Sequence, residues 1–345
     1  MRAVVFEKFG EDPAVRVVED PAPTPDGVVV AVEATGVCRS DWHAWRGHDP
    51  DVRLPHVPGH ELAGRVAAIG ERVRRWRPGD RVTVPFVCAC GTCPQCAAGD
   101  QQICDHQSQP GFTGWGSFAE LVALDHADVN LVRLPDALDP ATAAALGCRF
   151  GTAYRAVLRQ GGLSAGQWVA VHGCGGAGLS AVIIAVAAGA RVVAVDLSPE
   201  ALALAKQLGA EATIGGGDTA AAVREVTGGG AQLSLDCVGQ PGTCAASVAS
   251  LRKKGTHVQV GLMPPEQGAP PIPMHRVIAD ELKIVGSHGI QAHEYPGMLD
   301  FVARSGMDLT RLIGRRIGLD DAAAALMELD EPVSARAGVT VVDLR

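Results

Sequence analysis

The chain has 345 residues, 47% of them hydrophobic and 20% charged, with a formal net charge of −8. This length suggests two domains of ordinary size, and the composition argues against long disordered regions. The negative charge argues against nucleic acid as the main partner, because phosphate binding requires a basic face.

The sequence contains neither a basic, apolar leader nor an apolar run that could span a membrane. Its longest apolar stretch, Leu179–Ala190, contains Gly189 and ends before Arg191. At about a dozen residues, this stretch is too short to cross a bilayer. We therefore predict a cytoplasmic protein without a membrane partner. In that compartment the ten cysteines indicate metal ligands rather than disulfides.

Short β-rich runs separated by turns predict an antiparallel or barrel-like domain over roughly residues 1–130. These runs are Ala3–Phe6, Val28–Glu33, Leu62–Ile69, Arg81–Val84 and Phe118–Leu124. A helix is predicted to start at Asp139-Pro140, where the pattern changes.

From Trp168 onwards, strands alternate with helices, which predicts a doubly wound parallel sheet. The predicted strands are Trp168–His172, Arg191–Val195, Glu211–Ile214, Gln232–Cys237, Thr256–Val260 and Lys283–Gly286. A proline-rich loop, Pro264–Pro273, interrupts the last part of this pattern. Beyond about residue 287, two helix-like stretches precede a predicted strand, Ala337–Leu344, which we expect to return to the first domain.

One segment concentrates cysteines at close spacing. Four thiolates there can close a tetrahedral zinc site with no open position, which is typical of a structural site. An alternative, a zinc finger that binds nucleic acid, is opposed by the acidic balance and by the absence of a basic helix. The four cysteines are Cys90, Cys93, Cys96 and Cys104.

A glycine-rich turn follows the strand Trp168–His172 and opens an apolar helix. In this context the pattern predicts a dinucleotide site, with the pyrophosphate at the helix N-terminus. Asp196 ends the next strand, where a carboxylate binds ribose hydroxyls and repels a 2′-phosphate, so NAD is favoured over NADP. The alternative is an exposed strand-end aspartate beside a plain turn. The turn residues are Gly173, Gly175, Gly176, Ala177 and Gly178.

Three further residues, Cys38, His60 and Cys148, are potential metal ligands that lie far apart in the chain. Taken singly, each is more often a buried core residue than a ligand. Spacing alone does not join them.

Together, these motifs resemble the zinc-dependent medium-chain alcohol dehydrogenases over essentially the whole chain. The resemblance implies a catalytic zinc held by Cys38, His60 and Cys148, with Glu61 beside it as a transient ligand. It also implies a GroES-like, mostly-β catalytic domain over 1–150 and 287–345, and a Rossmann NAD-binding domain over 151–286. The matching stretches are Gly36-Val37-Cys38-Arg39-Ser40-Asp41-Trp42-His43, Pro58-Gly59-His60-Glu61, Pro78-Gly79-Asp80-Arg81-Val82, the four-cysteine segment, Gly147-Cys148, the glycine-rich turn and Asp196.

The activity implied by this resemblance is an NAD-dependent interconversion of primary or secondary alcohols with aldehydes or ketones. Hydride would leave a zinc-bound alkoxide. The resemblance also implies two zinc ions per chain and a homo-oligomer, either a tetramer or a dimer. Polyol and threonine dehydrogenases tend to carry Glu near the third ligand, and Asp139–Cys148 contains none. A dehydrogenase for a polyol, an amino-acid alcohol or a formaldehyde adduct remains the alternative. A non-catalytic dinucleotide-binding protein would usually have lost its zinc ligands.

The resemblance also implies roles around the metal. Ser40 and His43 would carry the alcohol proton to solvent, and Asp41 would orient His60. The alternatives are a surface histidine and a turn-capping aspartate.

Further predicted contacts are with the cofactor and the substrate. Arg39 would contact the cofactor pyrophosphate, unless it is simply a solvated charge, and Val260 would contact the nicotinamide. Phe86 and Trp115 are predicted to line the substrate pocket, although the tryptophan fits a packing role equally well.

Overall fold

The computed structural model describes residues 1–264, 267–330 and 338–345. Parts of the predicted proline-rich loop and the first residue of the predicted last strand, Ala337, lie outside the described residues. The strands are β1 (Arg2–Val5), β2 (Ala14–Val17), β3 (Val28–Val37), β4 (Glu61–Ile69), β5 (Arg81–Thr83), β6 (Leu121–Leu124), β7 (Val132–Arg133), β8 (Trp168–His172), β9 (Arg191–Val195), β10 (Ala212–Ile214), β11 (Ala231–Asp236), β12 (Leu251–Gln259), β13 (Lys283–Gly286), β14 (Ile313–Ile317) and β15 (Val339–Asp343).

The helices are mostly short and lie between these strands. They are α1 (Arg39–Trp45), α2 (Pro94–Ala97), α3 (Ala127–Asn130), α4 (Pro140–Ala144), α5 (Gly151–Tyr154), α6 (Gly176–Ala187), α7 (Pro199–Gln207), α8 (Thr219–Val226), α9 (Pro241–Ala249), α10 (Met274–Ala279), α11 (Tyr295–Ser305) and α12 (Ala322–Met327). Two π-helical turns, Leu146–Phe150 and Arg155–Gln160, flank α5. Within the described ranges, no helix combines the length and the apolar character needed to cross a membrane.

The first sheet is mostly antiparallel and contains strands from both ends of the chain. Its order is β14-β15-β3-β4-β5-β7, and β6 pairs with β3 as well. Strand β15 runs antiparallel to β3, with Val341 opposite Gly36. The C-terminal strand therefore returns to the first sheet, as the sequence pattern suggests.

The second sheet has six parallel strands in the order β10-β9-β8-β11-β12-β13. The predicted doubly wound sheet is confirmed. Every residue of β8 is buried, as expected of a central strand that is covered on both faces. Strand order reverses between β8 and β11, so the turn after β8 lies at the switch point where such sheets bind ligands.

Several strand boundaries differ from the predictions. Strand β3 continues past the predicted end, Glu33, to Val37, because β4 and β15 pair with it along this stretch, which contains Thr35 and Gly36. Strand β12 begins at Leu251, five positions before the predicted Thr256. Its start carries Arg252, Lys253 and Lys254, whose charges hide the strand from a hydrophobic pattern.

Two buried histidines and three serines form a polar cluster between the parallel sheet and α9. His172 Nε2 lies 3.4 Å from the Ser250 hydroxyl, and His257 Nδ1 lies 2.8 Å from the Ser247 hydroxyl. Ser234 joins the serines, with its hydroxyl 2.7 Å from that of Ser247. Burial, followed by the nearby His257, lowers the pKa of His172 to about 4. Burial also lowers the pKa of His257.

Acid is therefore expected to destabilise the fold through His172. Its folded-state pKa lies below the unfolded value of about 6.5, so the unfolded chain binds the extra proton and stability falls as pH drops from about 6.5 to 4. The expected contribution is on the order of 3 kcal/mol, at 1.36 kcal/mol per pKa unit. Urea unfolding at several pH values measures it. A His172→Gln variant should lose this part of the pH slope, and an unchanged slope would contradict the assignment.

Candidate active site

The three dispersed ligand residues converge at one place in the fold. Cys38 is the N-cap residue of α1, directly after β3, and His60 directly precedes β4. Cys148 lies in the π-helical turn Leu146–Phe150. The potential ligand atoms of Cys38, His60, Glu61 and Cys148 all lie within 4.8 Å of one another. Folding thus brings together residues whose spacing in the sequence does not by itself indicate a common site.

The Asp41 carboxylate fixes the orientation of this cluster. One of its oxygens accepts hydrogen bonds from His60 Nδ1 at 2.8 Å and from the Gly59 amide at 3.0 Å. The other accepts from the Cys38 amide at 2.8 Å. The carboxylate is fully buried, so these bonds replace its hydration and hold the His60 proton on Nδ1.

The donor set fits a zinc ion. His60 Nε2 is buried and has no hydrogen-bond partner among the described residues. A buried nitrogen without a partner costs free energy, unless it serves as a ligand. Two thiols and one imidazole nitrogen are the ligands of a catalytic zinc that keeps one position open.

We expect the Asp41→Asn variant to bind metal at this cluster about 10- to 100-fold more weakly, as is typical when a ligand's orienting partner is lost. The amide keeps the shape of the side chain but not the charge that holds the His60 tautomer. Competition with a chelator measures the affinity. Asp51→Asn, an exposed aspartate in the following loop, provides the control and should leave the affinity unchanged. Equal affinities for the two variants would contradict the role of Asp41.

The two thiols of the cluster have pKa values shifted in opposite directions. The Cys148 thiol donates to Cys38, which holds the pKa of Cys38 well below its usual range. The same hydrogen bond raises the pKa of Cys148 well above its usual range, and burial raises it further. Because the thiolate is the form that binds a metal ion, the lowered pKa of Cys38 favours binding, and a metal ion would also displace the proton of Cys148.

Four further cysteines meet in a separate lobe. The Cys93 Sγ lies 3.4 Å from that of Cys96 and 3.7 Å from that of Cys104. Cys90 Sγ is 3.5 Å from Cys104 Sγ. Cys90 Sγ also accepts a hydrogen bond from the Thr92 amide, which lowers the pKa of Cys90 to about 5. The four sulfur atoms lie within 4.8 Å of one another. This geometry fits a closed tetrahedral zinc site.

The glycine-rich turn joins β8 to α6. A Cβ atom on Gly178 would lie 1.7 Å from the Gly173 carbonyl oxygen, so only glycine permits this close approach of helix and strand. A Cβ atom on Gly175 would meet nothing within 4 Å. The Gly175 side of the turn therefore faces open space next to the N-terminus of α6, where a phosphate fits.

Asp196 lies beside this turn. Its carboxylate accepts hydrogen bonds from the Cys174 amide at 2.5 Å and from the Ser198 amide at 2.8 Å. These bonds fix the partly exposed carboxylate at the end of β9. The arrangement matches the acidic position of the dinucleotide fingerprint.

Comparisons with known proteins agree with this architecture. The domain described as an alcohol dehydrogenase GroES-like domain matches residues 24–136, and the one described as a zinc-binding dehydrogenase matches residues 176–304. An alcohol dehydrogenase from Geobacillus stearothermophilus is 38% identical over 83% of this chain and 84% of its own length. The chain belongs to the zinc-dependent medium-chain dehydrogenase family.

Two solved structures of related dehydrogenases superimpose on this chain. One is described as an NAD-dependent alcohol dehydrogenase, with 30% identity, complete coverage of both chains and a TM-score of 0.88. The other is described as a zinc-binding dehydrogenase from Sinorhizobium meliloti bound to NADP. It is 30% identical, covers 99% of this chain and 98% of its own, and has a TM-score of 0.86.

In this dehydrogenase, the predicted proton-relay residues lie on α1 beside the cluster. The Ser40 hydroxyl is 3.9 Å from Cys38 Sγ. His43 is half-buried, and its Nδ1 lies 3.0 Å from Nδ1 of His48. Arg39 donates to the Leu329 carbonyl oxygen and lies over the Trp42 ring at 5.1 Å. Its guanidinium is thus engaged within the protein, and its predicted contact with a pyrophosphate stays a prediction.

The predicted pocket residues, Phe86 and Trp115, have different surroundings. The Phe86 ring lies 6.2 Å from the His60 ring and 5.2 Å from the His288 ring. Trp115 is 39% exposed, and its indole nitrogen donates to the Pro55 carbonyl oxygen at 3.0 Å. Val260 directly follows β12, where its amide donates to the Asp236 carbonyl oxygen.

The sequence interpretation missed Phe112, whose ring lies 5.2 Å from the His60 ring. It also missed Arg149, which follows the ligand Cys148. The Arg149 guanidinium forms a bidentate ion pair with Glu61 and donates to the Val37 carbonyl oxygen at 3.0 Å. The Glu61 side chain is fully buried, and that of Arg149 is 12% exposed. A single arginine in the apolar stretch around Cys148 was the available signal.

Proposed function

We propose that this protein is an NAD-dependent, zinc-dependent alcohol dehydrogenase that interconverts primary or secondary alcohols with aldehydes or ketones. The observation that carries this proposal is the buried cluster of Cys38, His60 and Cys148, where His60 Nε2 has no partner among the described residues. Zinc there would lower the pKa of a bound alcohol, by analogy with water, whose pKa falls from 15.7 to about 7, and NAD would accept the hydride.

The chain's own residues prepare the site for this chemistry. Asp41 holds the His60 proton on Nδ1, which leaves Nε2 as an electron-pair donor. The Ser40 hydroxyl, close to Cys38 Sγ, is in a position to take the alcohol proton, and His43 lies one helical turn further along α1. We assign Ser40 and His43 as the proton relay. Phe86 and Phe112 supply apolar surface beside His60.

The role of Glu61 in this proposal is limited by its contact with Arg149. Burial raises the pKa of its carboxyl group, and the Arg149 guanidinium opposes that rise. The bidentate contact keeps the carboxylate engaged with the arginine beside the cluster. We therefore assign Glu61 as a transient ligand at most, because it must leave Arg149 before it can reach a metal ion.

The reaction is tested by steady-state assays with a panel of alcohols and carbonyl compounds. We expect simple primary or secondary alcohols to reduce NAD at higher kcat/KM than polyols, amino-acid alcohols or a formaldehyde adduct. Turnover of one of those other classes alone would move the protein to a different substrate within the same family. Absence of turnover with every class would reject the enzymatic proposal.

For the cofactor, we expect NAD to be preferred over NADP because the Asp196 carboxylate can bind a ribose hydroxyl and repel a 2′-phosphate. A hydrogen bond to a charged group contributes about 1.5–3 kcal/mol, which corresponds to roughly 10- to 150-fold in kcat/KM. The related structure described as bound to NADP makes this comparison necessary. Parallel assays of the protein and Asp196→Ala measure it, and an NADP preference in the unaltered protein would contradict the assignment.

Further parts of the proposal concern organisation. We assign residues 1–150 and 287–345 to the catalytic domain and 151–286 to the nucleotide domain. We also expect two zinc ions per chain, a cytoplasmic location and a homo-oligomer, either a tetramer or a dimer. Limited proteolysis, metal analysis and light scattering test the domain boundaries, zinc content and oligomeric state.

A further inference from the structure

The turn that ends α1 brings a second histidine against His43. The Gly47 amide donates to the Ala44 carbonyl oxygen, and the His48 amide donates to the His43 carbonyl oxygen at 2.9 Å. These two bonds define a Schellman motif, in which the second residue after the cap packs on the third residue before it. Such contacts are usually apolar. Here both positions carry imidazole rings.

Glycine is needed for this turn. Gly47 has φ +74°, and a Cβ atom there would lie 2.8 Å from Cγ of the Phe9 ring. Both the left-handed backbone and the contact with Phe9 therefore restrict the position to glycine. The turn holds His48 next to His43, with the two Nδ1 atoms 3.0 Å apart.

The two rings differ in exposure. His43 is half-buried beside the predicted relay serine, whereas His48 is exposed. Trp42 packs against both, with ring centroids 4.8 Å from His43 and 5.3 Å from His48. The pair thus leads from the interior side of α1 to the solvent.

We propose that His48 is the outer member of the proton relay and passes the alcohol proton from His43 to solvent. This inference rests on the proposed function, because that reaction supplies the proton. His43 accepts the proton on Nε2 and transfers its Nδ1 proton to Nδ1 of His48. His48 then releases its Nε2 proton to water or buffer, and exchange with water restores the starting tautomers. One proton enters and one leaves, with no oxidation or reduction of either ring.

The surroundings favour passage over storage of the proton. Burial lowers the pKa of His43, and the nearby His48 and Arg39 lower it further, while Cys38 and Asp49 oppose them. Arg46 and Asp330 form an ion pair near the same helix end. A protonated His43 is therefore disfavoured, and the proton moves to the exposed ring, where water solvates the charge.

The test is a single-turnover experiment with NAD and an alcohol that the protein oxidises, in weak buffer with a pH indicator. In His48→Gln, we expect proton release to slow by about 10-fold, less than the 10²–10⁴ of a direct acid–base group. Added imidazole buffer should restore the rate, and the KM for the alcohol should stay unchanged. His275→Gln, at an exposed histidine on α10, should behave like the unaltered protein.

Unchanged proton release in His48→Gln at low buffer concentration would overturn the proposal. Failure of the unaltered protein to form NADH would reject the proposed function instead, so the two failures are distinguishable. NMR of the ring nitrogens gives a readout that needs no turnover. We expect a higher pKa of His43 in His48→Gln, because the nearby His48 lowers it, whereas an unchanged pKa of His43 would also overturn the proposal.

Discussion

Cys38→Ser is expected to lower alcohol-dependent NADH formation by at least about three orders of magnitude. The basis is the size of the metal's contribution: a shift in the pKa of bound water from 15.7 to about 7 corresponds to on the order of 12 kcal/mol. No neutral hydrogen bond, which contributes about 0.5–1.5 kcal/mol, can replace it. Metal analysis should show the loss of one zinc per chain, with the four-cysteine lobe still occupied.

The matched control for this prediction is Cys244→Ser. Cys244 is also buried, but it lies on α9 with its sulfur 3.8 Å from His257 Nε2, outside both thiol clusters. This variant should keep both zinc ions and most of its activity. If Cys38→Ser retained the rate and zinc content of the unaltered protein, Cys38 would not be a ligand and the assigned catalytic centre would be wrong.

Arg149→Met is expected to destabilise the protein by about 3–5 kcal/mol, the usual cost of removing one partner of a buried ion pair. The cost arises because Glu61 is fully buried and would lose the guanidinium that neutralises it. Denaturant unfolding at fixed zinc concentration measures the loss. Adding Glu61→Gln to Arg149→Met should recover part of it, because the stranded charge is then removed.

The chain offers a matched control for this prediction as well. Arg159 pairs with Glu294 at 3.3 Å, but its side chain is 59% exposed. Exposed pairs contribute about 0–1 kcal/mol because water screens the charges. Arg159→Met should therefore change stability by no more than about 1 kcal/mol. Equal losses for the two methionine variants would show that burial does not govern the Arg149–Glu61 pair.

Local patterns predicted much of the fold. The strands Trp168–His172, Arg191–Val195 and Lys283–Gly286 have the predicted bounds. The first two are almost entirely buried, and buried parallel strands are continuous apolar runs between turns. Ser198, the N-cap residue of α7, precedes Pro199 in the sequence and accepts a hydrogen bond from the Ala201 amide at 3.2 Å. The four-cysteine site could also be predicted from a local pattern, since its four cysteines lie within one short segment.

Features that depend on distant partners could not be predicted in this way. The edge strand β14 was missed because its charged residues, Arg315 and Arg316, obscure the apolar alternation. Arg149 was missed because its partner Glu61 lies far away in the chain. The pairing of His43 with His48 depends on the turn at Gly47, and the spacing of the two histidines in the sequence does not reveal the geometry of that turn. Cys38, His60 and Cys148 were joined only by resemblance, because each is unremarkable alone.

The central claim is that zinc at the Cys38–His60–Cys148 cluster is required for alcohol oxidation. The most direct measurement titrates zinc back into metal-depleted protein and follows bound zinc and alcohol-dependent NADH formation together. The lobe and the cluster are distinguished by running the same titration on Cys38→Ser. We predict that activity rises in proportion to zinc bound at the cluster and stays absent in the variant. Full activity with zinc in the four-cysteine lobe alone would contradict the account.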